Sequence, residues 1–251
     1  MSFRAKMDRF LGLMRSLLMY YAIPGRGRAW KRYYAGWLNE DSLAFDIGAH
    51  VGNRTSAMAA SGARVVAVEA SPCMADVLNA LYGRRQKNTL LQKAIAAQAG
   101  EIKLFSSRRH PTVSTVNSTW KNQMSMSSGF AAVHWDDEEV VEALTLDGLI
   151  AQFGKPDYCK IDIEGNEWEA LKGLSTAIDV LSFEYIPAAK EIALGCISRM
   201  ESLGKYQFNY FADERPIYAA AEWLSGKQMA RYLEDLDENS RAGEIIAQLQ
   251  T

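Results

Sequence analysis

The sequence predicts a doubly wound α/β fold, one mostly parallel sheet with helices on both faces. Three observations lead there. Short apolar runs alternate with helix-length amphipathic segments from Leu43 to Phe211, the order that builds strand–helix–strand units with right-handed crossovers. The first run ends in a glycine-bracketed turn, Gly48 to Gly52, suited to open a ligand-binding helix. Carboxylates, Glu69 just after the second run and Asp162 at the end of the fourth parallel strand, stand at the strand edge where such sheets hold ligands.

Composition fits this architecture. The chain has 251 residues, 48% of them hydrophobic and 23% charged, enough for one large domain or one domain with a terminal appendage. A net charge of −2 gives no global signal for nucleic acid. Arg4, Lys6, Arg9, Arg15, Arg26, Arg28, Lys31 and Arg32 crowd the N-terminus, whereas Glu234 to Glu244 is mainly acidic. Cys73, Cys159 and Cys196 are scattered, which fits neither a disulfide framework nor a zinc site, and suits a reducing cytoplasm. The apolar stretch Phe10 to Ile23 is interrupted by Arg15 and falls short of the roughly 20 residues of a membrane span. Its apolar residues recur at helical spacing, so it reads as an amphipathic helix that packs on the domain or lies on a membrane surface.

The elements follow in order. Residues 1–40 form an expected helical segment with a break at Pro24-Gly25. A central domain over 41–215 begins with a strand at Leu43–Ile47 and a helix from His50 to Ser61. Strands at Arg64–Val68 and Thr89–Ile95 flank a helix from Met74 to Tyr82. Glu101–Phe105 and Glu139–Thr145 read as strands around a long polar insert, 106–138, expected to act as a lid. A helix over Asp147–Phe153 is capped by Thr145 or Asp147. Strands at Tyr158–Asp162, Val180–Glu184 and Tyr206–Phe211 alternate with helices Glu167–Leu174 and Ala189–Leu203. Residues 216–251 are expected as a helical tail.

The chemistry concentrates in three places. Phe45-Asp46-Ile47-Gly48-Ala49-His50-Val51-Gly52-Asn53 joins strand to helix, with glycines that permit positive φ and close ligand approach. His50 stands where the dinucleotide fingerprint needs its middle glycine, which argues against a nicotinamide-dependent oxidoreductase. What remains is the Asp-x-Gly-x-x-x-Gly loop of class I methyltransferases. Glu69 can accept hydrogen bonds from both ribose hydroxyls of a nucleoside. Lys160-Ile161-Asp162-Ile163-Glu164-Gly165 sets charge at the end of an apolar strand, where burial elsewhere would be costly.

At these residues the chain resembles the FkbM family of S-adenosylmethionine (SAM)-dependent methyltransferases. The likeness runs roughly from Leu43 to Phe211. It rests on the loop above, Val65-Val-Ala-Val-Glu-Ala-Ser-Pro72, Ser114-Thr-Val116, Thr145-Leu-Asp147, the Lys160 to Gly165 run and Ser182-Phe-Glu184. It implies a Rossmann-like class I methyltransferase sheet and methylation of hydroxyls on sugars or other small metabolites. It places SAM at Asp46, Gly48, Gly52 and Glu69, with Asp162 near the sulfonium; Ala49, His50, Asn53 and Ser71 adjoin these positions. An alcohol nucleophile must lose a proton, so Asp162, Glu164 and Glu184 are the catalytic candidates, as general base or as oxygen ligands suited to Mg²⁺. His110 and His134 in the insert are alternative bases. A non-catalytic SAM- or nucleotide-binding protein would keep the same loop. The acceptor and the oligomeric state are not legible here.

Overall fold

The computed structural model describes residues 3–84 and 87–250. The first two residues of the expected N-terminal segment and the last of the expected tail lie outside them. Helices α1 (Phe3–Tyr21) and α2 (Arg26–Tyr34) come first, separated at Pro24-Gly25. There follow β1 (Leu43–Ile47), α3 (Asn53–Ala59), β2 (Arg64–Val68), α4 (Pro72–Tyr82) and β3 (Asn88–Leu91). Next are β4 (Ala94–Ile95), β5 (Gly100–Ser106), α5 (Ser118–Ser125), β6 (Asp137–Leu144) and α6 (Leu146–Phe153). The chain closes with β7 (Tyr158–Ile161), α7 (Glu167–Lys172), β8 (Val180–Tyr185), α8 (Lys190–Leu203), β9 (Tyr206–Phe211), α9 (Gly226–Asp235) and β10 (Gly243–Leu249).

The main sheet has seven strands in the order β3-β2-β1-β7-β8-β10-β9. All pairings are parallel except the two made by β10. The order reverses between β1 and β7, and that switch opens a crevice at the carboxyl ends of the strands. Strands buried on both faces read as continuous apolar runs; all of β1 and four residues of β2 are buried. On one face Phe45, Ile161 and Phe183 pack against Leu149 of α6, Leu171 of α7 and Ile197 of α8. On the other, Ala44, Val65 and Tyr158 pack against Trp30 and Tyr34 of α2 and Met58 of α3, and Ala67 against Leu78 and Tyr82 of α4. The doubly wound architecture with helices on both faces is therefore present.

Three expectations need correction. Residues 216–251 are not only helical. After α9, with its Ser225–Gln228 capping box, β10 slots between β8 and β9, and Ile245, Ile246 and Ala247 are fully buried there. The strand expected over Thr89–Ile95 divides at Gln92-Lys93: β3 stays in the main sheet, while β4 pairs with β6 in a separate three-stranded sheet. The insert, whose polar sequence shows little periodicity and reads as unstructured, is not a structureless loop. It holds a 3-10 turn at Pro111–Val113, the helix α5 capped by Asn117, and a second 3-10 turn at Ser128–Phe130. Trp120 in α5 is 1% exposed.

Candidate functional site

A cavity of about 850 Å³ opens at the switch point, lined along its base by Ile47, Gly48, Val68, Glu69 and Asp162. The turn after β1 builds it. Gly48 has φ 77°, and a Cβ there would lie 1.8 Å from the Asp162 carbonyl oxygen, so only glycine lets β1 and the end of β7 run this close. The Gly48 and Ala49 N–H groups donate to the Val68 carbonyl at 2.9 and 3.0 Å, folding the turn back over β2.

Glu69 is fixed by the same turn. His50 N–H donates to its Oε2 at 2.8 Å and Ser71 N–H to its Oε1 at 2.7 Å. Burial pushes its carboxyl up to about 7, against the pull of those two N–H groups. A carboxylate oxygen has room for two hydrogen bonds, so each retains a lone pair for a ligand hydroxyl. His50, at φ 48°, lines the cavity with both ring nitrogens unpartnered. Burial lowers its pKa to about 4, which keeps the imidazole neutral. The Tyr20 ring of α1 lies 5.6 Å from the His50 ring.

Charge is ordered along the sheet edge. Side chains two residues apart on a strand share a face, which sets Asp46 and Lys160 in one row and Asp162 and Glu184 in the next. The Lys160 ammonium is 3.0 Å from Asp162 Oδ2 and 3.9 Å from Asp46 Oδ1. Burial alone would lower the Lys160 pKa, but Asp162 and Asp46 outweigh it and raise it. Asp162, Glu164 and Glu184 bring carboxylate oxygens within 4.8 Å of one another. Burial first, then crowding by Asp162, holds Glu164 and Glu184 well above the usual carboxylate range. This cluster can accept a proton, and its oxygen set also fits a small divalent cation.

Of the expected cofactor residues, Gly48, Ala49, His50, Asn53, Glu69 and Asp162 line the cavity. Asp46, Gly52 and Ser71 do not. Asp46 is fully buried beneath the turn, where Thr55 Oγ1 donates to it at 2.5 Å. It ties α3 to β1 and faces Lys160. Gly52 has φ 79°, and a Cβ there would meet Tyr82 at 2.4 Å and Leu78 at 2.6 Å; its glycine is needed for packing on α4 rather than for ligand approach. Ser71 acts through Glu69. Among the catalytic candidates, Asp162 and Glu164 line this cavity, and Glu184 lines an adjoining recess with Asp162. His110 and His134 line neither. The His110 Nδ1 sits 2.8 Å from an Arg15 guanidinium nitrogen.

Several lining residues escaped sequence reasoning, among them Tyr20, Arg54, Lys93 and Glu214. Tyr20 comes from α1, Arg54 from the first turn of α3, and Lys93 and Glu214 from loops, and only tertiary packing brings them together. The insert supplies Pro111, Thr112, Ser114 and Val116 as a roof. It is pinned: Thr115 Oγ1 donates to the Glu164 carbonyl at 2.7 Å and Asn117 Nδ2 to the Gly165 carbonyl at 2.7 Å. The Ser114-Thr-Val116 motif thus joins roof to strand edge. Glu167 was also missed. Its Oε1 accepts the N–H groups of Ile163 at 2.9 Å and Gly165 at 3.3 Å, which shapes the turn bearing Glu164.

The family model described as the methyltransferase FkbM domain matches residues 46–225. A relative, the hexuronic acid methyltransferase AglP of Haloferax volcanii, is 26% identical over 145 residues, covering 57% of this chain and 54% of that protein. The match thus spans about half of that relative's length. An O-methyltransferase from Bacillus cereus in complex with SAH aligns over 100% of this chain and 92% of its own at 13% identity and a TM-score of 0.45. A precorrin-6y C5,15-methyltransferase from Geobacter metallireducens covers 88% of this chain and 87% of its own, at 10% identity and a TM-score of 0.45.

Proposed function

The chain belongs to the FkbM methyltransferase family, and from that premise we propose that it moves the methyl group of SAM to a hydroxyl oxygen of a saccharide or other small metabolite. The observation that carries this reading is Glu69, whose two oxygens are each aligned by one backbone N–H at the wall of the cavity. That arrangement matches a ribose diol. The unpartnered His50 nitrogens leave polar positions for the rest of the nucleoside. When bound, SAM supplies a methyl group already activated by its sulfonium. The residues' part is alignment and proton removal. Asp162, on the cavity wall at the end of β7, would turn its charge toward the sulfonium. Asp162, Glu164 and Glu184 take the acceptor's hydroxyl proton as the oxygen–carbon bond forms and the carbon–sulfur bond breaks. The curated relative's name supports a sugar-type acceptor.

Glu69 supplies the first test. Ribose hydroxyls donate, so they favour its ionised form. With a pKa of about 7 in the free protein, affinity for S-adenosylhomocysteine should rise about tenfold between roughly pH 6 and 8, the change in the ionised fraction. The folded pKa lies above the unfolded value. Its contribution to stability is therefore fully present below about pH 4.5 and is lost as pH rises through about 7, so the ligand-free melting temperature should fall over that window. Glu69→Gln should flatten the affinity profile. Calorimetry giving a flat profile for the wild type would leave Glu69 only the structural task of holding the turn.

The N-terminal helix supports a second proposal, that the enzyme docks on an anionic lipid surface. No helix among the described residues is long and apolar enough to cross a membrane. Helix α1 packs through a stripe of small residues, Ala5, Gly12 and Ser16, all buried. Its opposite face turns Phe3, Met7, Phe10, Met14 and Leu18 outward, with Phe3 80% exposed and Leu18 59%. Arg4 and Lys6 of the same helix are exposed, as are Arg28, Lys31 and Arg32 of α2. An outward apolar face bordered by cations fits an anionic headgroup layer, each cation adding about 1 kcal/mol. Full-length protein should co-sediment with vesicles containing phosphatidylglycerol, less with phosphatidylcholine alone, and Phe10→Glu/Leu18→Glu should release it. Equal sedimentation of wild type and variant would remove this role.

A further inference from the structure

A second recess, of about 350 Å³, adjoins the cavity and shares Arg54, Asp162 and Glu214 with it. Glu184, Asp213 and Glu244 complete its charged lining. It lies where β8 and β10 meet the loop after β9. We infer that this recess is the acceptor subsite and that it takes a saccharide without a carboxylate, through hydroxyls held between Arg54 and the facing Glu184 and Glu244. The inference rests on the methyl-transfer reading above and specifies where, and by which chemistry, the acceptor binds.

Glu184 and Glu244 are direct cross-strand partners in the antiparallel β8–β10 pair. Like charges so placed repel and destabilise the pair. Arg54 answers half of this. Its Nη2 donates to Glu244 Oε2 at 2.9 Å, with the two side chains only 9% and 10% exposed. Its guanidinium lies 3.0 Å above the centre of the Trp30 ring, and Trp30 is itself 2% exposed, so the fork cannot swing away. Arg54 Nη1, Glu244 Oε1 and Glu184 Oε2 are left without protein partners although buried. Burying such a group with nothing paired to it is unfavourable. A donor and two acceptors without protein partners therefore belong to side chains that line one recess.

That pattern selects a ligand. A hydroxyl both accepts and donates, so neighbouring sugar hydroxyls can take the Nη1 hydrogen and give theirs to the glutamates. A uronate offers only acceptors at its carboxylate. It would bring a negative charge toward five carboxylates, of which Asp162 is paired with Lys160, Asp213 with Arg215 and Glu244 with Arg54. Glu184 and Glu214 have no cation partner among the described ion pairs, so the balance remains negative through Glu214 even with the Glu184 carboxyl held above the usual range. Residues Asp162 and Glu214, common to both spaces, put the acceptor's reacting oxygen beside the proton-accepting cluster.

Saturation-transfer NMR on the full-length protein with S-adenosylhomocysteine bound tests this, using methyl glycosides of glucose, galactose and mannose beside glucuronic acid. At least one neutral glycoside should bind, with glucuronic acid at least about tenfold weaker. Arg54→Lys and Glu244→Gln should each weaken that glycoside at least about fivefold in folded protein, both melting lower than wild type because a buried ion pair is disturbed, and Glu244→Gln, which lines the recess and not the first cavity, should keep S-adenosylhomocysteine affinity near wild type. Uronate binding equal to or tighter than the neutral sugars overturns the proposal. So does unchanged sugar binding in a folded variant, or the absence of any saccharide binding to wild type. Where S-adenosylhomocysteine still binds in those cases, only the acceptor subsite falls. Failure of S-adenosylhomocysteine itself to bind overturns the methyl-transfer reading beneath it.

Discussion

Gly48→Ala is expected to cost about 3 kcal/mol or more of stability, the sum of an unfavourable left-handed backbone and a forced displacement of packed chain. The added Cβ would stand 1.8 Å from the Asp162 carbonyl oxygen and 2.8 Å from its carbon. That backbone is held by Asp162 N–H donating to the Ile47 carbonyl at 3.0 Å, so relief means prising β1 from β7 at the switch point. At roughly 2–4 °C per kcal/mol for a chain of this size, the melting temperature should fall by about 6–12 °C. Gly25→Ala is the matched control. Gly25 has φ 84° but nothing within 4 Å of its Cβ position, so it carries the backbone penalty alone, about 1 kcal/mol. Equal losses in the two variants would mean that the close approach of β1 and β7 is not what requires glycine at 48. S-adenosylhomocysteine binding should vanish in Gly48→Ala and persist in Gly25→Ala.

What the sequence shows and hides follows from the range of the interactions. β1 and β2 begin and end where apolar runs and turn residues place them, because burial on both faces writes such a run into a local window; β9, an edge strand, is marked instead by its aromatic residues from Tyr206 to Phe211. β10 was hidden by its neighbourhood. The acidic stretch Glu234 to Glu244 reads as solvated, and the buried Ile245-Ile246-Ala247 that follows is too short to stand out. Its pairing with Phe183 and Leu181 of β8 spans some sixty residues and has no local trace. The glycine turn was legible as a turn, but the reason for each glycine was not. Gly48 answers to the Asp162 backbone and Gly52 to side chains of α4. Asp46 illustrates the same limit: a strand-end carboxylate looks ligand-facing from its position, yet Thr55 from the next helix covers it. Arg54 and Trp30 gave no motif at all. Their stacking appears only once α2 packs against α3.

The carboxylate cluster gives the largest expected effect on turnover. Asp162→Asn keeps shape and removes charge, and is expected to lower kcat by roughly 10²–10⁴, the usual worth of a positioned proton acceptor. It should also weaken SAM relative to S-adenosylhomocysteine, because only the former carries a sulfonium; with Lys160 at 3.0 Å already sharing that charge, the difference belongs at the low end of about 1–4 kcal/mol. Glu164→Gln should leave both affinities unchanged and reduce turnover. With the Glu164 and Glu184 carboxyls held above the usual range by burial and by Asp162, turnover in wild type should climb as pH rises and they ionise, and Glu164→Gln should shift that profile. Two mechanisms separate here. If Asp162, Glu164 and Glu184 gather a cation, a chelator should abolish turnover and Mg²⁺ should restore it and raise the melting temperature of wild type but not of Glu184→Gln. If they act as a base, chelator and Mg²⁺ should change neither turnover nor melting. Full turnover in both Asp162→Asn and Glu164→Gln would remove these carboxylates from the chemistry. Glu184 and Glu214, which both line the adjoining recess, would then be the carboxylates left to take the proton.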